Sequence, residues 1–109
     1  MTMEPDRSAN NIITVCVDQG LEEIIPGFLE NRRRDVQTLE AALQDSNLGP
    51  IQTIGHRMRG DGGGYGFDAI SMIGAALEQA AAREDRIAIR RHVAELIDFL
   101  ARVTVVYQR

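Results

Sequence analysis

Towards the C-terminus the apolar residues Ile89, Val93, Leu96, Leu100, Val103 and Tyr107 recur at spacings of three and four, the mark of an α-helix with one buried face. Such a helix is stable only against other apolar stripes, and the chain supplies three more. Ile25, Phe28, Leu29, Val36, Leu39 and Leu43 form the first, predicting a helix to about Gln44. Leu48, Ile51, Ile54, Gly55, Met58, Gly62 and Tyr65 form the second. Ile70, Ile73, Gly74, Leu77 and Ala81 form the third, on a helix from Phe67 or Asp68 to Ala82 whose small residues let a neighbour pack closely. The breaks between them carry helix-boundary chemistry: Asp45-Ser46-Asn47 with Pro50, the glycine cluster ending at Gly66, and Glu84-Asp85. Four stripes with short links predict an all-α fold, an antiparallel four-helix bundle, with the last helix running almost to the C-terminus.

The start of the chain reads differently. Residues 1–11 are polar, contain Pro5 and are expected to be a flexible tail, leaving 12–109 as one helical domain. Ile12 to Val17 is rich in β-branched residues and reads as an extended N-terminal arm, laid against the bundle or completed as a strand by another chain. A short additional N-terminal helix, capped by Asp18 or Gln19, is expected over Gly20 to Ile25, interrupted by Pro26-Gly27. Cys16, between two valines, is expected to be a small buried hydrophobe. Arg32 interrupts the first stripe, and its stem is expected to line the core edge while its charge reaches water. The run Arg32-Arg33-Arg34 reads as a helix face balanced by Glu30 and Asp35.

A net charge of -4 argues against a general nucleic-acid binder, which needs a basic excess to neutralise phosphates. No apolar run is long enough to span a membrane, Met1 to Asp6 lacks the pattern of a signal peptide, and the lone cysteine excludes an internal disulfide. A cytoplasmic protein with no membrane partner is the expectation.

His56 lies more than about 90° from the centre of its helix's apolar stripe and should face outward. Gln52, Arg59, Gly60 and Gly63 share its side of the helix. Glycine in a helix interior costs roughly 0.5–1 kcal/mol relative to alanine, so glycines beside an exposed imidazole suggest that a partner must come close. Arg59 adds a positive charge. The glycine cluster lacks the Gly-Lys-Ser/Thr and the preceding strand of a nucleotide loop. His92 has no companions with metal-ligand spacing and reads as a flank residue; Glu78 reads as a solvated or bridging carboxylate.

The segment His56-Arg57-Met58-Arg59-Gly60 resembles the His-x-x-Lys-Gly core of histidine-containing phosphotransfer (HPt) domains. The likeness continues through Gly66-Phe67 to Leu77-Glu78 and reaches upstream to Ile25-Pro26-Gly27-Phe28-Leu29 and Arg33-Arg34-Asp35-Val36. The family usually has lysine at the position of Arg59 and often serine or threonine at that of Asp61, which should face away from His56. The resemblance implies a phosphoryl carrier of a two-component phosphorelay. His56 would accept a phosphoryl group reversibly from the aspartyl phosphate of a receiver domain, of a response regulator or a hybrid histidine kinase. Arg59 would offset its charge, Gly60 and Gly63 leave room for the receiver, and Gln52 hydrogen-bond the ring or the phosphoryl oxygens. No cofactor or metal site of its own and no autonomous kinase activity are expected. Two other readings stay open: a helical interaction module in which His56 is only a surface residue, and an adaptor that docks a receiver without accepting phosphate.

Overall fold

The computed structural model describes residues 11–109. Its elements, in chain order, are strand β1 (Ile13–Asp18), a 3-10 turn (Gln19–Leu21), helices α1 (Ile25–Gln44), α2 (Gly49–Gly64), α3 (Asp68–Ala82) and α4 (Arg86–Arg102), and strand β2 (Val103–Gln108). The four expected helices are present, and the stripes face a shared core built on Ile25, Leu39, Ile51, Met58, Ile70, Leu77, Ile89 and Leu96. Helix α2 packs most extensively on α3, α3 also on α4, and α1 on both α4 and α2.

Three helices stop in the same way. In each, the third residue past the helix end donates its N–H to a carbonyl five residues back: Asn47 to Ala42 at 2.9 Å, Phe67 to Gly62 at 2.7 Å, and Asp85 to Ala80 at 2.9 Å. The residue before each donor turns left-handed, Gly66 at φ 90° but also Ser46 at φ 58° and Glu84 at φ 56°. At the other ends, Asn47 Oδ1 accepts from the Gly49 N–H at 3.4 Å and Asp85 Oδ1 from the Ala88 N–H at 3.0 Å. Pro50 sits in the first turn of α2, where a missing N–H is tolerated.

Both ends of the chain depart from expectation. The last helix ends at Arg102, and Val103–Gln108 is a strand although Val103 and Tyr107 continue the helical spacing. The run Val103-Thr104-Val105-Val106-Tyr107 explains this, since β-branched and aromatic side chains favour the pleated conformation. The strand alternates half-buried and exposed residues, and it pairs in parallel with β1 from Ile13↔Val103 to Asp18↔Gln108. The arm is thus extended as expected, and its partner is the C-terminal segment of the same chain. The expected helix over Gly20 to Ile25 is replaced by the 3-10 turn, where Asp18 Oδ1 accepts from the Gly20 N–H at 2.8 Å. Pro26 lies in the first turn of α1 and so starts that helix rather than interrupting one. The expectation of a flexible tail lies almost wholly outside the described residues.

Two side chains differ as well. Alternation in β1 turns Ile13, Val15 and Val17 toward the bundle, so Cys16 between them is exposed rather than buried. Arg32 is only 9% exposed. Its guanidinium lies 4.8 Å from the centre of the Phe28 ring and donates from Nε to Asp35 Oδ2 at 2.8 Å, so its charge is met inside the fold instead of in water. Asp35→Ala, which strands this guanidinium, is therefore expected to lower stability by about 1–3 kcal/mol. Adding Arg32→Met should recover most of the loss; urea unfolding of both variants checks the pair.

An aromatic cluster supports the end of α2. Phe67, fully buried, stacks on Phe28 at 5.4 Å and meets Phe99 edge-on at 6.4 Å, while Tyr65 packs on Phe28 at 4.7 Å. The turn at Gly66 is fixed from beneath.

Candidate functional site

The position of His56 follows from how closely α2 and α3 approach. A Cβ added at Gly55 would lie 2.7 Å from both the Glu78 nitrogen and the Gly74 oxygen, and one at Gly74 would lie 2.6 Å from the Arg59 nitrogen. Gly62 makes a third such contact, with the backbone of Ser71. The helices therefore meet backbone to backbone, which only glycine permits. Ser71 ties them further by donating its hydroxyl to the Arg59 carbonyl.

That approach brings Glu78 beside His56. The imidazole is 62% exposed, off the apolar stripe as expected, and its Nδ1 lies 2.9 Å from Glu78 Oε2. An ionised carboxylate can only accept, so Nδ1 carries the proton in this contact. Nε2 then holds the lone pair, and it has no hydrogen-bond partner among the described residues.

Arg59 closes the third side of the group. Its Nη1 lies 3.2 Å from Glu78 Oε1 and its Nη2 lies 3.3 Å from His56 Nδ1. Because Nδ1 already bears a proton, the second distance is proximity rather than a bond. Oε1 is buried without an aligned donor, so Arg59 meets it as a charge and not through a directed hydrogen bond. Half-exposed Arg59 thus faces the Nδ1 side of the ring, on a long stem that can swing to Nε2.

Of the other site candidates, Gln52 lines a shallow depression with Gly49, Thr53, His56, Arg57 and Glu78, but makes no hydrogen bond to the ring. Gly60 has nothing within 4 Å of where a Cβ would stand, and Gly63 only the Ser71 hydroxyl at 4.0 Å, so the surface beyond His56 is bare. Asp61 lies in a different depression with Tyr65 and Arg32, away from His56. His92, mostly buried, pairs with Glu95 on its own helix at 2.7 Å. Among the described residues no group of three or more His, Cys, Asp or Glu could hold a metal ion, and no helix is long and apolar enough to cross a membrane.

Glu78 is the residue that sequence reasoning left out of the site. A bridging carboxylate was one of its two readings, yet nothing in the local pattern names its partners His56 and Arg59, which lie 22 and 19 positions back in the chain. The usable signal was Gly55 and Gly74 together, since glycines facing each other on two stripes bring the flanking residues into contact.

A family model for the Hpt domain matches residues 23–104. The chain belongs to the Hpt domain family. Searches of curated proteins and of solved structures find no match. Hpt domains serve histidine phosphotransfer in phosphorelays, meeting receiver domains and kinases. The Hpt match covers all four helices and stops short of β1 and most of β2.

Proposed function

We propose that this Hpt domain, with its four helices in antiparallel order, accepts a phosphoryl group on His56 Nε2 from a receiver aspartyl phosphate and passes it on to another. The observation that carries the reading is the Glu78–His56 contact, which leaves an exposed nitrogen lone pair at the end of a fixed ring. In the forward step that lone pair attacks phosphorus in line, the N–P bond forms, and the P–O bond to the receiver's aspartate breaks with its electron pair leaving on the carboxylate. The ring becomes positively charged as it bonds to phosphorus. Glu78, already on Nδ1–H, stabilises that charge, and the reverse step needs no new contact. Arg59 swings to the phosphoryl oxygens, while Gly60 and Gly63 let the receiver approach. Gln52, in the same depression, is within reach of the phosphoryl group. The protein works in the cytoplasm, without a cofactor or a kinase activity of its own.

The test is incubation with phosphorylated receiver domains, followed by chemical analysis of the label. An acid-labile, base-stable phosphate on His56 supports the reading. A receiver that binds without labelling would leave the docking adaptor in its place.

The role of Arg59 can be read from its substitutions. A half-exposed charge-assisted contact of roughly 0.5–1.5 kcal/mol corresponds to a few-fold up to about a tenfold change. Arg59→Ala is expected to slow acceptance, or to shorten the phosphohistidine half-life, by that factor. Arg59→Lys, which keeps the charge, should stay near the parent value. Equal rates for arginine and alanine, measured at two salt concentrations, would remove Arg59 from the site.

A further inference from the structure

The bare side of α2 continues past His56 toward the ribbon. Gly63 is two turns further on and faces the same way, about 10 Å along the axis at about 1.5 Å per residue. There the helix meets the end of β1. Cys16, Asp18, Gly20 and Leu21 on one side and Gly63 and Gly64 on the other border a depression of about 450 Å³. The segment is held in place: Asp18 caps Gly20, and the Cys16 carbonyl oxygen and a Val17 side-chain methyl each stand 3.8 Å from where a Cβ at Gly66 would lie.

We infer that the segment Cys16–Leu21 is part of the surface that the phosphoryl-exchanging receiver domain covers. The ribbon end, which lies outside the Hpt match, then contributes to the choice of receiver. The inference rests on the phosphotransfer reading and adds a contact to it.

Three observations support it. A stable protein interface buries about 800 Å² per partner, a patch of about 16 Å radius, so a receiver centred on Nε2 extends past Gly63 and over the depression. Asp18 is the one charged residue on the border, and its carboxylate accepts from the Gly20 N–H; protein interfaces are likewise poor in charged residues toward their cores. The segment is also already ordered, Cys16 to Asp18 by pairing with β2 and Gln19–Leu21 as the 3-10 turn, so a partner docks without the cost of folding it.

Cys16 makes the test direct, because it is the chain's only cysteine and its side chain is exposed. The full chain is treated with a maleimide, alone and with a saturating amount of a receiver domain that labels His56 in the transfer assay. Alkylation is expected to slow roughly fivefold or more, as the thiol reacts only from the unbound fraction. A chain alkylated beforehand with a bulky maleimide should transfer with a raised KM for that receiver and a similar rate at saturation. Labelling of His56 with an unchanged alkylation rate would overturn the inference alone. Failure of every receiver to label His56 would overturn the phosphotransfer reading and this inference with it.

Discussion

His56→Ala is expected to lose all phosphoryl labelling while unfolding within about 0.5 kcal/mol of the parent, as surface substitutions usually do. The ring is largely exposed and supports no core side chain, so the fold has little to lose. The labelling has no substitute acceptor: His92 is the only other histidine and it is mostly buried against Glu95. Label on His92, or undiminished label in the variant, would sink the assignment. Glu78→Gln separates nucleophile from support. Glutamine keeps the shape but loses the charge that faces the ring, and a charge-assisted hydrogen bond of about 1.5–3 kcal/mol corresponds to roughly a ten- to hundredfold slower transfer. If the proton on Nδ1 matters as described, nitrogen NMR of that variant should also show the ring populating its other tautomer. A wild-type rate with a mixed tautomer would leave Glu78 a purely structural partner.

Gly74→Val is expected to damage both fold and site. Its first added carbon would stand 2.6 Å from the Arg59 nitrogen and 2.7 Å from the Gly55 oxygen, backbone atoms that cannot turn aside as a side chain would. The helices must separate, at about 2–3 kcal/mol or more by comparison with overpacked cores. Separation also draws Glu78 from His56, so transfer should fall even in the folded fraction. Gly60→Ala is the control for stability alone, since Gly60 also lies on the surface that the receiver approaches. Nothing stands within 4 Å of its added carbon, and the fold should gain about 0.5–1 kcal/mol from the better helix former. Denaturant midpoints together with single-turnover transfer rates decide the matter. A Gly74→Val protein that is less stable yet transfers at the parent rate would uncouple the helix crossing from the chemistry.

Most of the bundle was legible because burial imposes a period, and periods survive in sequence. The stripes through Ile51, Ile54 and Met58 and through Ile70 and Leu77 could be read without knowing what they touch, and so could the outward setting of His56. What escaped depends on which elements meet. Val103 and Tyr107 satisfy helical spacing and strand alternation equally; β1, lying alongside, decides between them. Cys16 was misplaced because local apolar company was weighed above the pleat that the same residues obey. Arg32 looked like a surface charge until Phe28 and Asp35 closed around it. Glu78 belongs to the same class: its role comes from a crossing point, which the sequence marks only through Gly55 and Gly74 on two separate stripes.

The ribbon has a consequence for the order in which the chain folds. Its paired residues are about ninety positions apart, and closing a loop of that length costs roughly 4 kcal/mol of chain entropy. Six residue pairs in an isolated two-stranded sheet cannot meet that cost alone. The helices must therefore gather first and hold the two ends near each other, so that the ribbon closes last and opens first. Amide exchange along β1 and β2 would then run ahead of global unfolding, and β1, free of β2, would leave the end of the His56 helix uncovered from time to time.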